Sequence, residues 1–478
     1  MLTEFAVLIL IALGGVAIAW QLGIRNLWLS VPAGLMISVV IRDVLFATMN
    51  MVHQRWIGAF AFFGILALGL VVSAWQAGRG LYKNMLLGTA LAILAVFSTR
   101  VLGFQGTPHG DSLWILSFAH LFDINGNIAF LNGHTAIKRG FSYPLLLSLG
   151  PSGQSLSGIT PYIFGALGCL VIWAIKELVG AQPRKRVYWV TGLLFATTFS
   201  TVMPLRAIYY VNGHTLTAVG LLAVAVAVTI AVRDYHLTRE QMLVICIGVF
   251  TASTSRIEGI VMAALLVLPL LSQNWIRRRE IMWIISSGTL GLSIWLATYH
   301  SYIINATHLP WYVFMAIFVG AGLLPAWKLF DAIRVRILPI TLIAMLVVFV
   351  AAEVVFRDAL RKGNQALYDN LIGGSGRWGW FFVAVVVLLI LGLRKLKDLS
   401  PEHRLLLWST SALILGSLIV KMLDGGQFGH PTLGRTGWSD SLNRMWLQSF
   451  AIFLVTALVG LVQNDKLWGA DEKTKASK

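Results

Sequence analysis

The sequence predicts an all-α, polytopic membrane protein, and three observations carry that reading. The 478 residues are 57% hydrophobic and only 12% charged, about half the charged fraction of a soluble globular chain. Apolar runs long enough to cross a bilayer, roughly 20 residues each, recur from end to end. Between them, Lys and Arg gather in every second connection, the asymmetry that fixes helix orientation.

The runs fall near 4–22, 28–48, 57–76, 85–103, 160–180, 187–204, 214–232, 241–256, 258–274, 281–299, 311–328, 337–356, 380–393, 405–421 and 447–463. The segments 241–256 and 380–393 are short for a full crossing, so about 13–15 transmembrane helices are expected. The first run, Phe5 to Trp20, has no basic segment before it and no clear small-residue cleavage site. It reads as a retained span and not a removed signal peptide. The 18 tryptophans suit rings placed at both membrane interfaces. Cys169 and Cys246 lie inside spans and read as small buried hydrophobes.

Strict alternation puts Arg25, Arg79 with Lys83, Arg184 to Arg186, Arg233 with Arg239, and Arg277 to Arg279 on one face. Lys328, Arg334 and Arg336, then Arg394, Lys395 and Lys397, join them there with the Lys-rich tail. The positive-inside rule makes that face cytoplasmic, with the N-terminus outside and the C-terminus inside a cytoplasmic (inner) membrane. The net charge of +17 is thereby a topology signal and not a nucleic-acid footprint. One polytopic domain, 1–464, is expected, followed by a charged tail, 465–478. Three long outer loops, 104–158, 357–379 and 422–446, hold most of the polar residues that topology leaves unexplained, and long loops commonly carry function.

The first outer loop holds Asp111 just beyond an apolar run. A carboxylate at the membrane surface can serve as a general base for a hydroxyl, partial desolvation raising its pKa. Asp is equally a preferred N-cap, here for a helix 112–121. Asp123, followed by Asn125 and Gly126, reads as a turn. The cations Lys138 and Arg139 follow.

Within this loop Gly110-Asp111 is followed by an aromatic-containing stretch, Ser112 to Ala119. Then come Gly126-Asn127-Ile128-Ala129-Phe130-Leu131-Asn132-Gly133 and Gly140-Phe141-Ser142-Tyr143-Pro144-Leu145. In order and spacing these resemble the first outer loop of polyprenyl-phosphate-dependent glycosyltransferases of the GT-C superfamily, most closely the arabinofuranosyltransferase and mannosyltransferase branches. The family often has two adjacent acids, where this chain has Gly110 and Asp111. The resemblance implies a GT-C-like fold with the site in outer (periplasmic or extracellular) loops. It implies inverting transfer of a sugar from a polyprenyl-phosphate donor to a glycan, lipid or protein acceptor in cell-envelope biogenesis, with Asp111 as catalytic base.

A leaving phosphate needs cations or backbone donors. Arg256 is the leading candidate. It lies in Thr254-Ser255-Arg256-Ile257-Glu258-Gly259, which interrupts two apolar runs, and this Arg-x-Glu-Gly resembles a recurrent turn of the same superfamily. Charges so close to hydrocarbon point to function; the alternative is an Arg256–Glu258 pair that caps a helical hairpin. Lys138, Arg139 and Arg444 are further phosphate candidates. Tyr143, Tyr210, His214, Glu258, Arg435, Asp440 and Asn443 are candidate substrate contacts, because aromatic faces, amides and carboxylates grip sugars. Asp440, Asn443 and Arg444 share a face if helical. The loop 357–379, with Arg357, Arg361, Tyr368, Asp369, Arg377 and Trp378, is a candidate acceptor-side lid.

The histidines show no metal-ligand spacing, and there is no phosphate-binding glycine loop at a strand–helix junction. No metal, cofactor or nucleic acid is therefore expected. Two other readings stand beside transfer: an O-antigen-type polymerase or ligase, resting on Arg and His, and a lipid-linked-sugar transporter or flippase. The last calls for ionisable residues midway through spans.

Overall fold

The structure, a computed structural model, describes residues 2–51, 55–75, 78–103, 111–123, 140–150, 156–180, 184–199, 208–209, 213–298, 333–355, 381–392, 399–423 and 437–464, with scattered positions between 312 and 331. The described residues are helical or irregular, with no strand among them. The helices are α1 (Leu2–Gln21), α2 (Leu27–Met51), α3 (Arg55–Trp75), α4 (Arg79–Val96), α5 (Asp111–Asp123) and α6 (Ser142–Leu147). Then come α7 (Ile159–Val179), α8 (Arg184–Phe199), α9 (His214–Arg233), α10 (Arg239–Ser255), α11 (Ile257–Leu271) and α12 (Arg278–Thr298). The last are α13 (Ile337–Val355), α14 (Phe381–Gly392), α15 (Pro401–Leu423) and α16 (Gly437–Gln463).

A helix coincides with every predicted span except 311–328, most of which lies outside the described residues. Eight helices among the described residues are long and apolar enough to cross a membrane. The chain is a multi-pass, all-helical membrane protein.

Burial ranks the helices. The apolar windows of α16 and α9 are 100% and 94% buried, whereas that of α13 is 6% buried and that of α3 is 22% buried. The first two form the centre and the last two present their side chains outward. Around that centre α9 packs on α7, α10, α11 and α16, while α1 packs on α2, α3 and α4. Lipid tails are as apolar as Leu, so close backbone approach matters more here than area burial. Gly220 of α9 and Gly248 of α10 face each other's carbonyls, and a Cβ on either would stand within 3 Å of the partner backbone.

The helix starts follow local chemistry. Thr238 caps α10 reciprocally with Gln241: the Thr238 hydroxyl accepts from the Gln241 amide at 3.1 Å, and the Gln241 side chain accepts from the Thr238 amide at 2.9 Å. α4 ends in a wider π-helical turn, Phe97–Val101, that carries Arg100. Asp123, expected in a turn, is instead the last residue of α5; the helix runs on to two residues before the Asn125-Gly126 turn signal, since a short polar residue is tolerated in a last turn.

Alternation of the helices sorts the polar contacts into two ends. At one, Asn26 donates to Glu177 at 3.2 Å, Arg233 donates to the Glu177 carbonyl at 2.8 Å, and Ser400 donates to Gln463 at 2.6 Å. Connections that the charge pattern assigns to one face thus meet. At the other end Glu4, wholly buried, accepts from Arg100 at 2.5 Å, Ser157 at 2.8 Å and the Gly158 amide at 2.9 Å. That carboxylate ties the start of α1 to the end of α4 and the entry of α7.

Candidate functional site

The end that holds Glu4 also holds the junction of two stretches singled out in the sequence. α10 runs to Ser255, Arg256 breaks it, and α11 begins at Ile257. The break is one extended residue, Arg256, at φ −153° and ψ 145°. Against it lies the second half of the first outer loop. The Phe141 amide donates to the Thr254 carbonyl at 3.2 Å. Gly140, at φ +68°, lies so close that a Cβ would overlap the Ser255 carbonyl. Only glycine meets both requirements, the left-handed backbone and the missing side chain.

Two buried polar groups flank this contact. On one side Asp43 of α2, wholly buried, accepts from the Ser142 hydroxyl at 2.6 Å, with the Thr254 hydroxyl beside it. The preceding residue, Arg42, reaches Ser148 at 3.5 Å. On the other side Arg256 grips Glu258, with Nε and Nη2 at 3.1 and 3.0 Å from the same carboxylate oxygen. Gln448 of α16 donates to that oxygen at 3.0 Å and meets His214 Nδ1 at 2.9 Å. An amide nitrogen only donates, so the ring nitrogen accepts. Arg256 and Glu258 keep 13% and 11% of their side-chain surface, while Gln448 has none and His214 almost none.

This arrangement combines a cation already matched by a carboxylate, a relay of three side chains from three helices, and the positive end of α11, whose first amides favour an anion. The hairpin-capping alternative for Arg256–Glu258 is thus present in the geometry. It coexists with a guanidinium whose Nη1 has no hydrogen bond among the described residues.

The structure places the other predicted residues as follows. Asp111 is the first residue of α5, and α5 packs on α6. Tyr143 is buried, and its hydroxyl is spent on Thr160 of α7 at 2.5 Å. Asp440, Asn443 and Arg444 lie on α16, three and four residues apart and so on one face. Lys138, Arg139, Tyr210, Arg435 and the whole of 357–379 lie outside the described residues, as does the tail 465–478. Among the described residues no group of three or more His, Cys, Asp or Glu could hold a metal ion.

Arg42, Asp43, Glu4 and Gln448 are not among the sequence-derived candidates. The first two carried a signal: adjacent ionisable residues inside an apolar run are costly and need a reason. Gln448 carried none, because a single amide in a helix is unremarkable until its partners are seen. No protein-family model, curated protein or solved structure matches the chain.

Proposed function

We propose that this chain is an integral-membrane inverting glycosyltransferase of the GT-C type. It moves a hexosyl or pentosyl unit from a polyprenyl-phosphate donor to a glycan, lipid or protein acceptor on the outer face of the cytoplasmic membrane. The observation that supports this reading most is the meeting of two distant stretches that each resemble the superfamily. Gly140–Tyr143 lies on Thr254–Ser255, the two residues that lead directly into Arg256–Gly259, through the Phe141–Thr254 hydrogen bond.

In this reading Asp111 takes the proton of the acceptor hydroxyl. The acceptor oxygen bonds to the anomeric carbon from the side opposite the phosphate, the bond from that carbon to the phosphate oxygen breaks, and polyprenyl phosphate leaves. Its charge is met at the membrane edge by Arg256, with Lys138, Arg139 and Arg444 as further cations. Glu258 fixes one edge of the Arg256 guanidinium and leaves the other for a phosphate oxygen. Tyr210, Arg435, Asp440 and Asn443 remain the sugar-facing candidates. Tyr143 and His214 have hydrogen-bonded buried positions and act on substrate through the helices they hold.

One observation favours a second reading. Arg42 and Asp43, buried inside α2, are the kind of intramembrane ionisable residues that a flippase would use. One experiment separates the readings. Cells making wild-type or Asp111→Asn protein at equal levels are compared for the terminal sugar of surface glycan and lipid, and for the lipid-linked donor. Transfer predicts loss of the sugar in the variant, with unused donor accumulating on the outer leaflet. Donor trapped on the cytoplasmic leaflet would support the flippase, and accumulation of single repeat units the polymerase. Unchanged sugar would leave Asp111 as an acidic residue at the start of α5, where the helix dipole favours a carboxylate.

A further inference from the structure

Asp43 is a wholly buried carboxylate that the proposed chemistry does not use. Desolvating such a group is expensive unless its hydrogen bonds and neighbours compensate, so what it touches indicates what it is for. It touches α6. Ser142, the first residue of that helix, donates to Asp43 at 2.6 Å. Arg42, its neighbour on α2, donates to Ser148, the first residue past the other end, at 3.5 Å. Two adjacent ionisable residues on one long helix therefore hold both ends of one short helix. A six-residue helix has too few internal hydrogen bonds to persist unaided. The chain just before it is the segment Gly140–Phe141, which lies on Thr254–Ser255 beside Arg256.

We infer that Arg42 and Asp43 clamp α6 and thereby keep Gly140–Ser142 seated on the Arg256 break, with Asp43 a positioning residue for the phosphate-binding side of the site. The seating claim stands on geometry alone; its consequence for the donor rests on the glycosyl-transfer reading. The clamp asks Asp43 for a hydrogen-bond acceptor and does not ask it to exchange a proton. Asn supplies that acceptor and Ala does not.

The test is made on the full-length protein in membranes. Cys169 and Cys246 are replaced by Ala, and Leu149, buried just beyond α6, is changed to Cys as a reporter. Its labelling by a membrane-impermeant maleimide is timed in three backgrounds: unaltered, Asp43→Ala and Asp43→Asn. Ser142→Ala, which removes only the donor, serves if Asp43→Ala fails to accumulate. Labelling is expected to speed up about tenfold in Asp43→Ala, in the same direction in Ser142→Ala, and to stay within about twofold of the unaltered rate in Asp43→Asn, a tenfold change corresponding to the loss of one well-made buried hydrogen bond. Equal rates in all backgrounds overturn the clamp. In Asp43→Ala protein lacking the reporter, the KM for a polyprenyl-phosphate sugar should rise about tenfold with kcat nearly kept, and Asn should restore it. Faster labelling with an unchanged KM overturns the positioning role. If wild-type protein transfers no sugar, the glycosyl-transfer reading fails while the labelling rates still decide the clamp.

Discussion

A single oxygen of Glu258 accepts three hydrogen bonds, two from Arg256 and one from Gln448. Breaking one partner out of a nearly buried ion pair leaves the other charge uncompensated, which typically costs about 3 kcal/mol. Arg256→Ala and Glu258→Ala should therefore each lower stability in detergent, and the double variant should lower it by clearly less than the sum of the two, a non-additivity that a double-mutant cycle of thermal midpoints would measure. Gly140→Ala should be damaging for a different reason. The left-handed backbone costs an L-residue about 1–2 kcal/mol, and the added Cβ overlaps the Ser255 carbonyl. The expected result is a lower midpoint and lost transfer together. Outside the membrane helices, Asp331 is held below the usual carboxylate value of 3.8 by its hydrogen bond and charge contact with Arg278. A folded-state pKa below the unfolded one gives stability that is complete above the ordinary value and lost as pH falls through the folded one. Asp331→Asn should accordingly flatten the acid limb of the thermal midpoint below about pH 4. The effect should be small, because both side chains are well exposed.

At the scale of elements, the helices were legible and their partners were not. Apolar length alone places α1 to α3, α7 and α9 within a few residues of their bounds, because a bilayer demands a minimum run. The Arg256 break was legible too, since a charge pair interrupting two apolar runs has little other reason to exist. Asp43 and Gln448 were hidden for a physical reason: their roles depend on which helix lies opposite, and composition does not encode that. The α9–α10 contact is of the same kind. Gly220 and Gly248 are ordinary glycines in sequence and a backbone-to-backbone contact in space. Gly248→Val should separate these helices, costing about 1–3 kcal/mol as overpacking does, and shift the thermal midpoint while leaving donor KM in the surviving fraction nearly unchanged.

For the whole molecule, the charge asymmetry and the fold agree on which connections share an end, as the Asn26–Glu177 and Arg233–Glu177 contacts show. The buried polar groups Glu4, Asp43, His214, Glu258 and Gln448 collect at the opposite end. On the proposed orientation that end is outward, so a fluorescent protein fused after Lys478 should light up in the cytoplasm, whereas alkaline phosphatase at the same place should stay inactive. The reverse pattern would put the polar end inside and remove the proposed donor leaflet. Purified protein in lipid nanodiscs reads the proposed chemistry itself. Wild-type and Asp111→Asn proteins are given a panel of polyprenyl-phosphate sugars with an acceptor extract, and release of free polyprenyl phosphate is followed together with the anomeric configuration of the product. Release by wild type alone is expected, coupled to a product of inverted configuration. Equal release by Asp111→Asn, or a product of retained configuration, would contradict it.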